Sequence, residues 1–135
     1  MFLGEYEHSI DAKGRMAVPV KFRAQIERGA VVSKSMGSCL SVYPMQRWEE
    51  KSAELAEGKS SDELRDFERR IFPSAGEVEL DAQGRMIIPA RLRAYAKLEN
   101  EVTVVGVRDH FEIWDRTLWR AYQEQLETNG GVIPF

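Results

Sequence analysis

An internal repeat constrains this chain more than any other feature of its sequence. The segment EHSIDAKGRMAVPVKFRA (7–24) returns seventy positions later as EVELDAQGRMIIPARLRA (77–94), and nine of the eighteen aligned positions carry the same residue. Unrelated segments of average composition would share about one position. With one residue inserted in the second copy, CLSVYPMQRW (39–48) continues the alignment over HFEIWDRTLW (110–119). The chain is therefore two copies of one unit, which predicts a pseudo-symmetric pair rather than a long array.

Each copy predicts the element order β-turn-β-α-β-β-α. Asp-x-x-Gly favours a tight turn, because Asp caps it and Gly accepts positive φ. Pro19 can then occupy the first turn of a helix, where its missing N–H costs nothing, and Phe22 and Ile26 share one face of that helix. Trp48 and Trp119 occupy equivalent positions in later helices and are expected to anchor the core.

The expected division is residues 1–59 for the first copy, 60–75 for a connecting helix and 76–135 for the second copy. Ser60 and Glu63 have the spacing of a capping box at the start of that connecting helix. Either copy alone would have exposed strand edges and too little core to be stable. We therefore predict an α+β fold with a mostly β core, in which the two halves interleave into one closed barrel with helices packed outside.

Charge is distributed unevenly along the chain. The net charge is −3 and the sequence pI is near 5.5, which argues weakly against nucleic acid as a partner. Residues 11–25 nevertheless carry four basic side chains against one acidic side chain, and residues 81–97 do the same. The acidic residues concentrate in 45–69, with eight Asp or Glu against five Lys or Arg. Each copy thus opens with a basic segment, and the distribution matters more than the sum.

Several classes of protein are disfavoured by what the sequence lacks. The apolar runs are too short to cross a bilayer, and MFLGEYEHSID does not resemble a signal peptide, so we expect a cytoplasmic protein without a membrane partner. The single Cys39 suits a reducing compartment. His8 and His110 are not equivalent in the repeat, and no nucleophile–base pattern is visible. We expect no metal, no cofactor and no enzymatic activity.

The residue after each turn is the candidate functional residue. No turn requires an arginine there, yet Arg15 and Arg85 occupy the same position in the two copies. An arginine on a tight turn can bridge the O6 and N7 atoms of guanine or clamp a phosphate. Lys13 would add a phosphate contact, and Lys21 and Arg23 on the following helix are candidates for backbone contacts further out. The alternative is that each arginine merely pairs with the aspartate of its own turn. The residues alone leave both interpretations open.

The strand, D-x-x-G-R turn, short apolar strand, proline and helix resemble the SpoVT-AbrB class of DNA-binding fold. Two copies in one chain that opens FLGEYEHSIDAKGRMAVP are similar to the MraZ family of bacterial regulators. This resemblance implies a swapped-hairpin barrel, ring-shaped homo-oligomers, and repression through direct repeats in double-stranded DNA upstream of the division and cell-wall gene cluster, hence association with the nucleoid. Together with the chemistry of the turns, the candidate DNA-binding residues are Lys13, Gly14, Arg15, Lys21, Arg23, Gln83 and Arg85, and the residues that shape the turns are Asp11, Asp81 and Gly84.

The two turns differ at one position, where Lys13 in the first copy corresponds to Gln83 in the second. The two copies therefore need not contact DNA equally, and for Arg85 the ion-pair alternative stays open. A second function class also remains: an antitoxin-like or scaffold interaction module of the same fold, whose helices would bind a partner. The firm helix predicted at the end of the second copy, rather than an extended tail, favours the regulator.

Overall fold

Strands and helices follow the repeat in a computed structural model that describes residues 1–58 and 60–135. The strands are β1 (Glu5–Ser9), β2 (Arg15–Ala17), β3 (Ala30–Lys34), β4 (Leu40–Pro44), β5 (Gly76–Val78), β6 (Arg85–Ile87), β7 (Glu101–Gly106) and β8 (Phe111–Asp115). The helices are α1 (Val20–Arg23), α2 (Met45–Glu57), α3 (Asp62–Ile71), α4 (Ala90–Tyr95) and α5 (Arg116–Asn129), and short 3-10 turns follow α1 and α3. The boundary expected at residue 59 lies outside the described residues.

The two halves are joined strand by strand. Six strands form an antiparallel sheet in the order β1-β7-β8-β4-β3-β5, so the first strand of each half pairs with a strand of the other half. Strands β4 and β8, one from each half, meet in the middle. The remaining strands, β2 and β6, form a separate antiparallel ribbon that also crosses between the halves. Neither half could therefore complete its hydrogen bonding alone.

The main sheet is open in the described part of the chain. Its outer strands are β1 and β5, and these two are not paired with each other. The structure is a mixed α+β fold with a mostly β core, but it shows a six-stranded sheet plus a ribbon rather than the single closed ladder expected from the sequence. Closure into a swapped-hairpin barrel stays a prediction.

An aromatic cluster lies at the centre of the core. Phe2, Phe22 and Phe111 are buried, and their ring centroids are 5.1–5.6 Å apart. Met16 on β2 and Met86 on β6 are fully buried on the inner face of the ribbon. Burying each such side chain contributes about 1.5–3 kcal/mol relative to exposing it. Because Phe2 and Phe22 come from the first half and Phe111 from the second, this core belongs to both halves.

Helix starts follow the sequence to within one residue. Pro19 is the N-cap of α1 rather than a residue of its first turn. The predicted cap of the connecting helix is wrong by one residue, since the side chain of Ser61, not Ser60, accepts a hydrogen bond from the backbone N–H of Leu64 at 3.0 Å. Ser61 has the extended backbone that an N-cap requires. Among the described residues, no helix is long and apolar enough to cross a membrane.

Candidate nucleic-acid interface

The ribbon places the two repeated arginines on one outward face. Arg15 lies opposite Ile87, and Arg85 lies opposite Ala17, so the register is symmetrical about the pair of buried methionines between them. Side chains alternate across a strand, so these four residues project away from the core. Arg15 and Arg85 are diagonal neighbours across the two strands, a relation that places such residues about 7–8 Å apart.

Each arginine is held by the aspartate that starts its turn. The Asp11 carboxylate accepts hydrogen bonds from the backbone N–H groups of Lys13 and Arg15, both at 2.9 Å, and from the Arg15 side-chain Nε at 2.7 Å. Asp81 binds Gln83 and Arg85 in the same way, with its contact to Nε at 2.8 Å. The Nε atom of each arginine is therefore occupied, and any ligand would bind the terminal nitrogens of the guanidinium group.

The same contacts keep both carboxylates charged. The backbone N–H of Arg15 lowers the pKa of Asp11, and partial desolvation opposes this shift only in part. The backbone N–H of Arg85 lowers the pKa of Asp81 for the same reason. Each Asp–Arg pair is thus close to neutral, which makes the neighbouring unpaired cations important for attracting an anion.

The two turns present different surfaces. Gln83 accepts a further hydrogen bond from a terminal nitrogen of Arg85 through its side-chain oxygen. Lys13, at the equivalent position, is exposed and makes no salt bridge among the described residues. The first turn therefore has a more available arginine and one additional positive charge.

Each turn glycine is covered by an arginine side chain. The sequence did not predict that these arginines point inward. Gly14 and Gly84 have φ of +83° and +75°, a conformation that favours glycine. A side chain at Gly14 would overlap the Arg93 guanidinium, and one at Gly84 would overlap that of Arg23. Each glycine is thus packed under an arginine of the other half. The carbonyl oxygen of each glycine also accepts a backbone hydrogen bond at 2.9 Å from the other half.

Arg23, which was predicted to contact the DNA backbone, makes a hydrogen bond within the protein. It is half-buried, and its Nε donates to the carbonyl oxygen of Val18 at 2.8 Å. Arg93 donates to the carbonyl oxygen of Ile88 through a terminal nitrogen of its guanidinium group. The repeat contained the signal for this pair, because Arg23 and Arg93 are one of its nine identities. A DNA contact by the remaining nitrogens of Arg23 stays a prediction.

Exposed cations flank the ribbon on both sides. Lys21 on α1 and its counterpart Arg91 on α4 are exposed, and neither forms a salt bridge within the described ranges. Sequence reasoning named Lys21 but not Arg91 as a site residue. Ile87 on the ribbon face is also exposed and was not anticipated. The resulting surface has two oriented arginines at its centre and exposed cations at its rim. The apolar side chain of Ile87 lies opposite Arg15 on the same face.

The chain belongs to the MraZ family. The family described as "MraZ protein, putative antitoxin-like" matches residues 1–70 and again residues 71–130. A protein of Lactiplantibacillus plantarum is 42% identical over 130 residues, which cover 96% of this chain and 92% of that protein. One of Moorella thermoacetica is 46% identical over 123 residues (90% and 86%), and one of Thermomicrobium roseum is 42% identical over 134 residues (98% and 94%). All three are named "Transcriptional regulator MraZ".

Proposed function

We propose that this chain is a DNA-binding transcriptional regulator that places the β2–β6 ribbon in the major groove. The observation that carries the proposal is the position of Arg15 and Arg85 on one outward face, each oriented by an aspartate. A major groove about 12 Å wide admits a two-stranded β-ribbon. The separation of about 7–8 Å between diagonal positions spans roughly two base-pair steps. One ribbon could therefore contact two nearby guanines.

The other predicted residues have distinct roles in this complex. Lys13 and Lys21 contact phosphates, with Arg91 as the counterpart of Lys21 in the second half. The exposed Ile87 suits a thymine methyl group. Gln83 positions Arg85 rather than contacting a base, since its side-chain oxygen already accepts from that arginine. Gly14 and Gly84 give each turn its positive φ and leave room for the arginine of the other half that covers it.

An acidic protomer with one such surface needs several copies to bind tightly. Linked contacts raise the effective concentration at the second site without new chemistry. The family resemblance supports a ring-shaped homo-oligomer, in which protomers related by rotation meet direct repeats spaced by about 10 bp, one helical turn. We extend the proposal to repression of the division and cell-wall gene cluster by a cytoplasmic, nucleoid-associated protein. Within each protomer, the two repeats and the connecting helix close into the swapped-hairpin barrel.

Fluorescence anisotropy with the DNA upstream of the protein's own operon tests the proposal over a series of salt concentrations. Arg15→Ala should weaken binding by about 1–3 kcal/mol, between 5-fold and 150-fold, and relax the preference at one base pair. Lys13→Ala should weaken binding to all sequences and reduce the salt slope by about one. Arg69→Ala is the control, because Arg69 is exposed on α3 and pairs with Asp66 away from the ribbon.

A substitution of Arg15 can weaken DNA binding by disrupting the turn or by removing the contact with DNA, and further variants separate these two causes. Arg15→Lys keeps the charge but not the planar fork, so it should bind DNA without the base preference. Circular dichroism and thermal melting of each variant report whether the fold is intact. If Arg15→Ala binds as tightly as the wild type at every salt concentration, the ribbon is not the DNA-contacting surface.

The alternative is an antitoxin-like or scaffold module that acts through its helices. The observation in its favour is the exposure of Phe67 on α3 and of Phe72 immediately after it. Under this alternative, Phe67→Ser would abolish capture of a protein partner while leaving DNA binding at the wild-type level. Light scattering separates the two further, because a monomer at micromolar concentration would contradict the ring.

A further inference from the structure

A cavity of about 530 Å³ lies between the sheet and helices α2 and α3, away from the ribbon. We call it the α2–α3 cleft. Its floor comes from the sheet and includes Ser41 and Tyr43, and its opposite wall includes Trp48 on α2 and Arg70 on α3. Tyr95 on α4 closes one end by donating its hydroxyl proton toward the carbonyl oxygens of Ser35 and Gly37, each at 2.9 Å. The cleft is thus formed by elements of both halves.

Positive charge is concentrated around the cleft. Lys34, Lys51 and Arg70 line it, and none of them forms a salt bridge with a carboxylate among residues 1–58 and 60–135. Glu112 also lines it, but its carboxylate is occupied by the His110 Nε2 atom at 3.2 Å and by a tryptophan N–H at 2.9 Å. On a chain with net charge −3, three cations without a carboxylate partner around one cavity favour an anionic occupant.

Aromatic rings also line the cleft, and a flat group would pack against Trp48. The Lys51 ammonium lies 5.3 Å from the centroid of the Tyr43 ring, and the Lys34 ammonium lies 5.2 Å from that of Tyr95. Each lysine is therefore held over an aromatic ring instead of a carboxylate. Trp48 adds a third aromatic wall. This pairing of cations with rings suits a molecule with both an anionic and an aromatic part.

A serine hydroxyl also faces the cleft. Ser41 lines the cleft, and its hydroxyl makes no hydrogen bond to another residue in the described part of the chain, so it is available to a ligand. The neighbouring buried Ser33 does have a partner, the carbonyl oxygen of Lys34 at 3.2 Å. A ligand oxygen in the cleft would accept a hydrogen bond from the Ser41 hydroxyl.

We propose that the α2–α3 cleft binds a small organic phosphate that carries a flat ring, a molecule of about nucleotide size. The phosphate would lie among Lys34, Lys51 and Arg70 with the Ser41 hydroxyl as a donor, and the ring would pack on Trp48. A cavity of 530 Å³ falls within the range of about 300–1,000 Å³ found for small-molecule sites. This site is separate from the ribbon, so the inference does not depend on DNA binding.

Isothermal titration of the full chain with UMP and with AMP tests the proposal, and uridine and inorganic phosphate serve as partial ligands. At least one nucleotide should bind saturably and more tightly than either partial ligand. Lys51→Gln and Arg70→Gln should each weaken its affinity by roughly tenfold, the loss of one charge-assisted hydrogen bond. Ser41→Ala should weaken it less. Arg69→Gln, one residue from Arg70 but outside the cleft, should bind like the wild type.

The ribbon is the competing site for a nucleotide, and the double variant Arg15→Ala/Arg85→Ala separates the two. Nucleotide affinity should be unchanged in that variant even when DNA binding is lost. Three results would overturn the proposal: no saturable binding of UMP or AMP at concentrations up to about 1 mM, wild-type affinity in both Lys51→Gln and Arg70→Gln, or loss of nucleotide binding in the ribbon variant. Circular dichroism of each variant excludes unfolding as the cause of a lost signal.

Discussion

Gly84→Ala, Arg23→Ala and the corresponding double variant test how one half of the chain fixes the turn of the other. A Cβ at Gly84 would overlap the Arg23 guanidinium, and φ at this glycine is +75°. The end of an arginine is flexible, so it would swing away and lose its 2.8 Å hydrogen bond to the carbonyl oxygen of Val18. The two single variants therefore lose the same hydrogen bond by different routes.

The magnitudes follow from that shared bond. A hydrogen bond from a charged donor contributes about 1.5–3 kcal/mol, so Arg23→Ala should lower the free energy of unfolding by about this amount. Gly84→Ala loses the same bond and adds about 1–2 kcal/mol for alanine at positive φ, about 2.5–5 kcal/mol together. The double variant cannot lose the bond twice, so it should resemble Gly84→Ala. The shortfall from additivity is then about 1.5–3 kcal/mol.

Urea unfolding followed by tryptophan fluorescence and by circular dichroism measures all four free energies. Gly131→Ala is the matched control, because no atom lies within 4 Å of a Cβ built there. The second cycle, Gly14→Ala with Arg93→Ala, should show coupling of the same sign. Additivity of Gly84→Ala and Arg23→Ala within about 0.5 kcal/mol would refute the reasoning, since independent sites behave in that way.

Three further predictions concern the core and the sheet edge. Burial raises the pKa of the Cys39 thiol to about 12, so a disulfide reagent should modify it only after denaturation; rapid modification of the native protein would contradict this. Burial lowers the pKa of His110, but hydrogen bonds to Glu112 and Asp109 outweigh it and raise the pKa above 6.5. Stability from this charge is complete below pH 6.5 and is lost as pH rises through the raised pKa, so urea midpoints should fall with rising pH in the wild type and not in His110→Gln. Gly106→Ala would place a Cβ 2.5 Å from the backbone nitrogen of Leu3, and its unfolding free energy should drop by about 1–3 kcal/mol; an unchanged urea midpoint would disprove the close approach.

The order of elements could be predicted because its causes act over a few residues. Pro19 and the spacing of Phe22 and Ile26 predicted a short helix with one buried face, and both apolar residues are buried on the helix and the 3-10 turn that follows it. The cap of α3 was placed one residue early, since Ser60 and Ser61 are both suitable and only backbone geometry distinguishes them. Local chemistry therefore defined the elements but not always their first residue.

The pairing of strands between the two halves could not be predicted, because a local sequence pattern identifies a strand but not its neighbour in the sheet. Strand β1 pairs with β7, and β5 pairs with β3, each across the repeat boundary. The inward positions of Arg23 and Arg93 depend on this exchange, whereas the sequence alone favours a solvent-facing position for a basic residue on a short helix. The predicted contact of Arg23 with the DNA backbone was made without knowledge of the glycine that Arg23 covers.

Equivalent positions in the repeat did not produce equal burial. Trp119 is buried against Trp114, whereas Trp48 is only half-buried, so the expectation of two core anchors is wrong for Trp48. The difference arises because Trp48 borders the α2–α3 cleft and packs edge-to-face with Phe72 of the segment between the two copies, whereas Trp119 packs against Trp114. A repeat predicts backbone similarity better than it predicts the surroundings of each side chain.

The register of the ribbon is symmetrical about its methionine pair, but its two ends are chemically different. Two identical halves would present the same surface after a 180° rotation. Such a two-fold symmetric surface cannot distinguish the two directions along a DNA duplex. In this chain, Gln83 binds Arg85 while Lys13 leaves Arg15 without that contact. Because both turns belong to one polypeptide, their sequences are free to differ. The ribbon therefore has two chemically distinct ends and a defined direction.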